Sequence, residues 1–272
     1  MTNLEQKILP HVGSLPLKKI TPPIILNEVL KPIEAQGHIE SLYRVKTVLS
    51  QIFRYAVANG LMERDFTLDL KGAFPPLKVE HRAAVTDPVE LGRLLKAIDS
   101  FHGSPVVGYA LKILPYVFVR PGELRNAAWN EVSLDESLWR IPAARMKMRN
   151  AHVVPLASQV KILFTELKEL TGQGEYLFPG ARTRVRPISD VAMLAALRRM
   201  GYEPKEICPH GFRTTASTLL HEKGYPSEWV EAQLAHRDSN AVRAAYNRAE
   251  HLQDRIGMMQ EWADYLDSLR TG

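Results

Sequence analysis

The stretch SPVVGYALKILPYVFV, residues 104 to 119, is apolar on nearly every side of a helical period. A helix without a polar face is stable only when other elements cover it, so this segment is expected as a buried helix inside a layered domain. The chain has 272 residues, of which 45% are apolar and 24% charged. That suffices for one large domain or two smaller ones, each with its own core. No apolar run reaches the ~18 residues a bilayer span requires, so no membrane partner is expected. The opening MTNLEQKILPHVG lacks the plan of a secretory signal. The single cysteine, Cys208, precludes an internal disulfide. Together these point to the cytoplasm.

The remaining chain divides at a change of pattern. HIESLYRVKTVLSQIFRYAVANG, residues 38 to 60, places Ile39, Leu42, Val45, Leu49, Ile52, Phe53 and Ala56 at helical spacing, and Gly60 closes the helix. A shorter helix is expected around IILNEVL, with Pro32 as a kink or an end. LKGAFPPLKVEHRAAV has prolines and no periodicity and reads as a linker. TDPVELGRLLKAI restarts helix, with Asp87 as N-cap, Pro88 at the first position and Glu90 completing a capping box. This predicts a small helical domain over 1–75, a linker over 76–86 and a larger domain over 87–272.

Within the larger domain Pro121 begins a helix directly after the buried one, and SLWRIPA and AHVVPLA read as strands joined by the basic ARMKMRN. SQVKILFTELKEL, ISDVAMLAALRRMG (capped by Ser189 or Asp190), TTASTLLHEKG and SEWVEAQLAH are further helices. The last helix carries Ile256, Met259, Trp262, Leu266 and Leu269 on one face. The fold class is mainly α with a small antiparallel β-sheet.

Charge narrows the function. The net charge is +5 and the pI about 9.2, which permits nucleic-acid binding without requiring it. The distribution says more: WRIPAARMKMRNAH contains Arg140, Arg145, Lys147 and Arg149 without an acid, and ARTRVR adds Arg182, Arg184 and Arg186. Solvated surfaces usually alternate charge, whereas unalternated stretches favour a polyanionic partner.

Six polar residues then form a chemical set: Arg120, Lys147, His210, Arg213, His236 and Tyr246. Singly, each has a plainer explanation as a surface cation, a structural hydrogen-bonding pair or a packing residue. Together they can attack a phosphodiester without a metal. Planar guanidiniums match the charge that spreads over the non-bridging oxygens. A tyrosine hydroxyl becomes a nucleophile beside a base or strong positive charge, and a lysine can protonate the departing alkoxide. No cofactor and no metal is expected, since no convincing carboxylate cluster accompanies the basic set.

The order of these residues, R-x-x-E-L, a hairpin lysine, H-x-x-R, L-A-H and a tyrosine ten residues later, resembles the tyrosine recombinase (phage integrase) family. VRPGELRNAAWNEVSLD, RIPAARMKMRNAHVVPL and LAHRDSNAVRAAYNRAEHL are similar to the branch carried by satellite prophages and genomic islands. The resemblance runs from about residue 20 to 267. It implies a site-specific DNA recombinase working through a 3′-phosphotyrosine intermediate. Arg120 and Arg213 would clamp the phosphate and Lys147 would be the acid. His210 would assist proton transfer, His236 would hydrogen-bond the phosphate, Tyr246 would be the nucleophile, and Glu123 would brace Arg120. It also implies a core-binding domain near the N-terminus and a tyrosine-recombinase catalytic domain after it. Double-stranded DNA would be the partner, with dimers and tetramers forming on it and DNA-bending accessory proteins assisting, in a bacterial cytoplasm at the nucleoid. The terminal helix would dock on a neighbouring subunit.

The chain departs from the family pattern at Ala235, often glycine, and at Thr214, often histidine, and it leaves no room ahead of the resemblance for the arm-binding domain of longer members. A type IB topoisomerase shares this chemistry, and a DNA-binding or assembly protein with a decayed site remains the alternative from another class.

Overall fold

The computed structural model describes residues 3–77, 83–236 and 251–271. The chain divides into two compact units, Met1–Glu80 and His81–Gly272. Among the described residues no helix is long and apolar enough to cross a membrane.

The first unit is helical. Its longest element, α1 (Ile39–Ala58), buries Leu42, Val45, Leu49, Phe53 and Ala56 along one stripe, as the spacing predicts. Ile39 and Ile52 lie at its margins, half-buried. The stretch before it runs without interruption from Pro22 through a π-helical segment, Ile25–Leu30, into Lys31–Ala35. Pro32 therefore does not end the helix. It sits in the first turn of the segment after the π turn, where its missing N–H leaves no bond unmade.

In the second unit the apolar stretch is helix α3 (Pro105–Val117), preceded by α2 (Pro88–Asp99). Ala110, Leu111, Ile113, Leu114 and Val117 have no exposed surface. The cover it requires comes from α4 (Pro121–Arg125), α5 (Ser158–Thr171), α6 (Ala192–Arg199), α7 (Gly211–Glu222) and α9 (Leu252–Thr271), with α2, all of which pack on α3. Helix α8 (Ser227–Gln233) packs on α7 and α9.

A three-stranded antiparallel sheet lies beside the bundle: β1 (Val132–Ser133), β2 (Leu138–Ile141) and β3 (His152–Pro155), in that order. The short β1 carries no alternation of its own. In β2, Trp139 and Ile141 point inward and Arg140 outward, and Ile141 pairs with His152.

Several local expectations are corrected. Asp87 does cap α2, accepting from the Glu90 N–H at 2.9 Å, but the Glu90 carboxylate pairs with Arg93 at 2.6 Å instead of closing a capping box. Helix α6 begins at Ala192 without a side-chain cap, so neither Ser189 nor Asp190 serves. The terminal helix is part of its own chain's core: Met258, Met259, Trp262, Ala263 and Leu266 are each at most 1% exposed. Of the expected stripe Ile256 is 41% exposed, and Met258 takes the inward place. A Cβ on Gly92 would stand 2.5 Å from the Leu269 carbonyl oxygen, so the glycine lets the end of α9 lie directly on α2.

Candidate active site

The site is built around the end of α3. The last carbonyls of a helix lack intrahelical donors, and here that end is buried, so side chains must supply them. Trp262 Nε1 on α9 donates to the Pro115 carbonyl at 3.0 Å. Gln233 Nε2 at the end of α8 donates to Val117 at 3.2 Å, and Arg213 Nη1 on α7 donates to Phe118 at 2.8 Å. Phe118 adopts a left-handed backbone, φ 34°, which ends the helix and turns the chain toward Arg120. The negative end of the α3 dipole favours a guanidinium at this spot.

Arg213 is 4% exposed. Its remaining contacts are the Leu234 carbonyl at 2.6 Å and His236 Nε2 at 3.2 Å, both from Nη2. Among the described residues no carboxylate contacts it. Burial, and then the neighbouring charge of Arg120, pushes its pKa down to about 10, still well above neutral pH. The start of α7 is equally constrained: a Cβ on Gly211 would lie 2.1 Å from the Ala83 carbonyl oxygen, so the residue between His210 and the arginine turn must be glycine.

His236 follows a turn in which Ala235 has φ 50°, the left-handed region that favours glycine. Its exposed ring is held at both nitrogens. Nε2 accepts from Arg213, so Nδ1 carries the proton and donates to the Glu231 carboxylate at 2.5 Å. Glu231 thereby sets the tautomer and orientation of the ring.

Arg120 caps the start of α4. Glu123, 5% exposed, accepts from the Arg120 backbone N–H at 2.9 Å and from its Nη1 at 2.8 Å. The other end of α4 is capped from the β2–β3 connection. Arg145 donates to the Glu123 carbonyl at 2.8 Å and to the Asn126 carbonyl, and pairs with Glu131 at 3.2 Å. Lys147 lies two residues beyond this anchor and is exposed. Its ammonium has no contact among the described residues, so the structure fixes its backbone near α4 without bringing its side chain to the arginine pair.

The basic connection is thus less bare than its sequence. Arg140 is answered by Glu136 at 2.6 Å and 2.8 Å, and Arg145 by Glu131, which leaves Lys147 and Arg149 for solvent. His210 stands at the N-cap of α7, half-buried, one turn before Arg213. Tyr246 lies outside the described residues.

Behind the arginine pair is a buried network that the sequence does not announce. Gln233, fully buried, accepts at Oε1 from Arg255 Nη2 at 2.5 Å and Nε at 3.2 Å. Arg255 Nη2 also donates to the Val153 carbonyl at 2.5 Å, and burial pushes its pKa down to about 10. His152 Nε2 donates to the Gln233 carbonyl at 3.1 Å. The network ties α9 and β3 to the residue just before Leu234, whose carbonyl holds Arg213. No periodicity or motif singles out Gln233 or Arg255; the spacing E-x-x-x-x-H is the only local trace of Glu231.

Burial, and then the charges of Arg255, Arg213 and Arg120, hold His152 down at about pKa 3. The unfolded chain takes up this proton near pH 6.5, whereas the folded protein does so only near pH 3. Its contribution to stability is therefore complete above pH 6.5 and declines below it, by up to about 1.4 kcal/mol per pH unit. Denaturant unfolding at pH 7.5, 6.0 and 5.0 is expected to show the gap between wild type and His152→Gln narrowing with acid; parallel losses would exclude His152 as the source.

The Phage integrase family model matches residues 85–252, and the Phage integrase central domain model matches residues 1–73. The chain is 38% identical over 283 residues to the integrase of Enterobacteria phage P4, covering 98% of this chain and 64% of that protein. It is 34% identical to prophage integrase IntS of Escherichia coli K12, covering 97% and 68%. The chain thus spans about two thirds of the length of these relatives. Lambda integrase, solved as a dimer bound to a COC′ core site, superposes with a TM-score of 0.66 at 21% identity, covering 85% of this chain and 84% of that one. The Tn1549 transposon integrase, in complex with circular intermediate DNA, gives 0.64 at 16%, covering 94% and 88%. At these identities the solved structures speak to the fold, and it is the same fold; the family matches and the phage and prophage relatives establish that this chain belongs to the phage integrase (tyrosine recombinase) family.

Proposed function

We propose that the protein is a site-specific DNA recombinase that cuts and rejoins duplex DNA, integrating or excising a mobile element. The observation that carries this reading is the arginine pair. Arg213 is buried, has no carboxylate partner among the described residues, and is held by carbonyls and an imidazole beside the like charge of Arg120. Such a pair is stabilised when an anion enters between the guanidiniums, and a phosphodiester matches their planar donors.

In this mechanism the Tyr246 hydroxyl oxygen attacks the phosphorus. Arg120 and Arg213 neutralise the charge gathering on the non-bridging oxygens. His236 hydrogen-bonds one of them once Arg213 turns from its Nε2 to the phosphate and that nitrogen takes up a proton, with Nδ1–H still held by Glu231. The bond to the 5′-oxygen breaks, Lys147 gives that oxygen a proton, and a 3′-phosphotyrosine remains. His210 assists proton transfer at the nucleophile. Reversal by a different 5′-hydroxyl completes strand exchange. Residues 1–75 serve as the core-binding half of a clamp on DNA and residues 87–272 as the catalytic half. The lambda integrase structures are a dimer on a core site and a tetramer on a Holliday junction, which supports assembly of this chain on DNA into dimers and tetramers. Bending proteins would assist, at the nucleoid of a bacterial cytoplasm.

A randomised substrate pool serves where the target sequence is not in hand. The full chain is incubated, in excess chelator, with a randomised library of duplexes nicked just 3′ of the variable segment, so that a cleaved strand loses its short partner. Detergent-resistant, protease-sensitive adducts on 3′ ends are expected, enriched for one sequence. Recovery of non-covalent complexes alone would overturn the reading.

The acid role of Lys147 has its own test. Lys147→Ala is expected to slow cleavage of ordinary DNA by roughly 10²-fold or more, the usual scale for a lost general acid. A bridging 5′-phosphorothiolate leaves without a proton, so that substrate should be cleaved at close to the wild-type rate. Equal losses on both would make Lys147 a phosphate-positioning group.

A further inference from the structure

Residues 176 to 189 contain three arginines and no acid. They form a closed loop on buried footings, with Phe178 fully buried and Ile188 5% exposed. The Ile188 N–H donates to the Phe178 carbonyl at 2.8 Å, and the Gly180 N–H donates to the Arg186 carbonyl at 2.7 Å. Pro179 and Pro187 face each other as an isolated bridge. Everything from 181 to 186 is exposed, and Val185, near the tip, is 78% exposed. Among the described residues the guanidiniums of Arg182, Arg184 and Arg186 have no hydrogen bond, ion pair or ring contact. Three like charges on six residues with no acid between them repel one another, and no acid among the described residues answers them, which favours a polyanionic partner.

The loop also has a fixed relation to the arginine pair. Arg125, the last residue of α4, donates from Nη1 to the Ile188 carbonyl at 2.8 Å. The loop's footing is thus bonded to the same five-residue helix whose start carries Arg120. At about 1.5 Å per residue that helix is roughly 7.5 Å long. One strand of duplex DNA advances about 3.4 Å per nucleotide. The footing therefore stands within a few nucleotides of whatever phosphate Arg120 holds.

We propose that Arg182, Arg184 and Arg186 form a second phosphate-contacting site, which grips the duplex backbone a few nucleotides from the cleaved phosphate and sets the register of the DNA on the catalytic unit. This rests on reading Arg120 and Arg213 as a phosphate clamp. DNA is favoured over an acidic protein surface because the loop is tied to that clamp through α4.

The full chain and the triple variant Arg182→Gln, Arg184→Gln, Arg186→Gln are compared for binding to non-specific duplex DNA across a salt series. The slope of log affinity against log salt is expected to fall in magnitude by up to about 2.7, at 0.9 per lost phosphate contact, with an unchanged melting temperature. A triple lysine variant should restore most of the slope. An unchanged slope with DNA binding intact would overturn the proposal. So would an unchanged slope with lost self-association, which would assign the loop to an acidic face of a second copy. Wild-type protein that binds DNA and never forms the covalent adduct would count against the proposed function alone, and the slope would still decide the loop.

Discussion

Deletion of residues 252 to 272 is expected to abolish cooperative folding of the larger unit, leaving protein that aggregates and binds no DNA half-site. The helix lost, α9, is not an appendage. Met258, Met259, Trp262, Ala263 and Leu266 are buried in the main core, and Arg255 completes the network on Gln233. Trp262 alone fills core volume, donates to the Pro115 carbonyl and meets Phe118 edge-on, with centroids 6.2 Å apart at 85°. Truncating a buried tryptophan to alanine costs about 3–5 kcal/mol, and whole domains are stable by only about 5–15 kcal/mol. Trp262→Ala should therefore lower the melting temperature by many degrees and remove most of the stability seen in denaturant titration, while the full deletion removes several such contributions at once. A soluble, cooperatively folding truncated chain that still binds a half-site would show that α9 belongs to a neighbouring subunit after all.

Tyr246→Phe is expected to abolish covalent attachment completely while non-covalent binding stays within about two-fold. One oxygen is removed. The groups proposed to bind the phosphate, Arg120 and Arg213, are positioned by Glu123, Phe118 and Leu234. No other group in the set supplies a nucleophile, so the loss should be total, unlike the graded loss expected for a missing acid. Adduct capture and a filter-binding titration on the same suicide duplex separate the two effects. An adduct that persists in the variant would move the nucleophile elsewhere.

Much of this architecture is visible in local pattern, because burial imposes a period on the residues that experience it. The all-round apolar α3 announces a core with cover on every side. The alternation in LWRI announces a strand, and Asp87 before Pro88 a helix start. The order of Arg120, Lys147, His210, Arg213, His236 and Tyr246 points to the chemistry. The fate of each cation does not appear there. Arg140, Arg145 and Lys147 stand in one basic run, yet Arg140 meets Glu136, Arg145 caps α4, and Lys147 meets solvent. Arg213 is the buried member of its pair and Arg120 the half-buried one, although nothing in either motif distinguishes them. The stripe on α9 has the same period whether it covers its own core or a neighbour's, and its register slipped because apolar residues at 256 and 258 compete for the inward place. Arg255 is the clearest case: its partners Gln233 and Val153 lie 22 and 102 residues away in sequence. An apolar stripe is a property of consecutive residues, whereas a buried donor must find whichever carbonyl the finished packing leaves unanswered, and the carbonyls at the end of α3 are answered from three different helices.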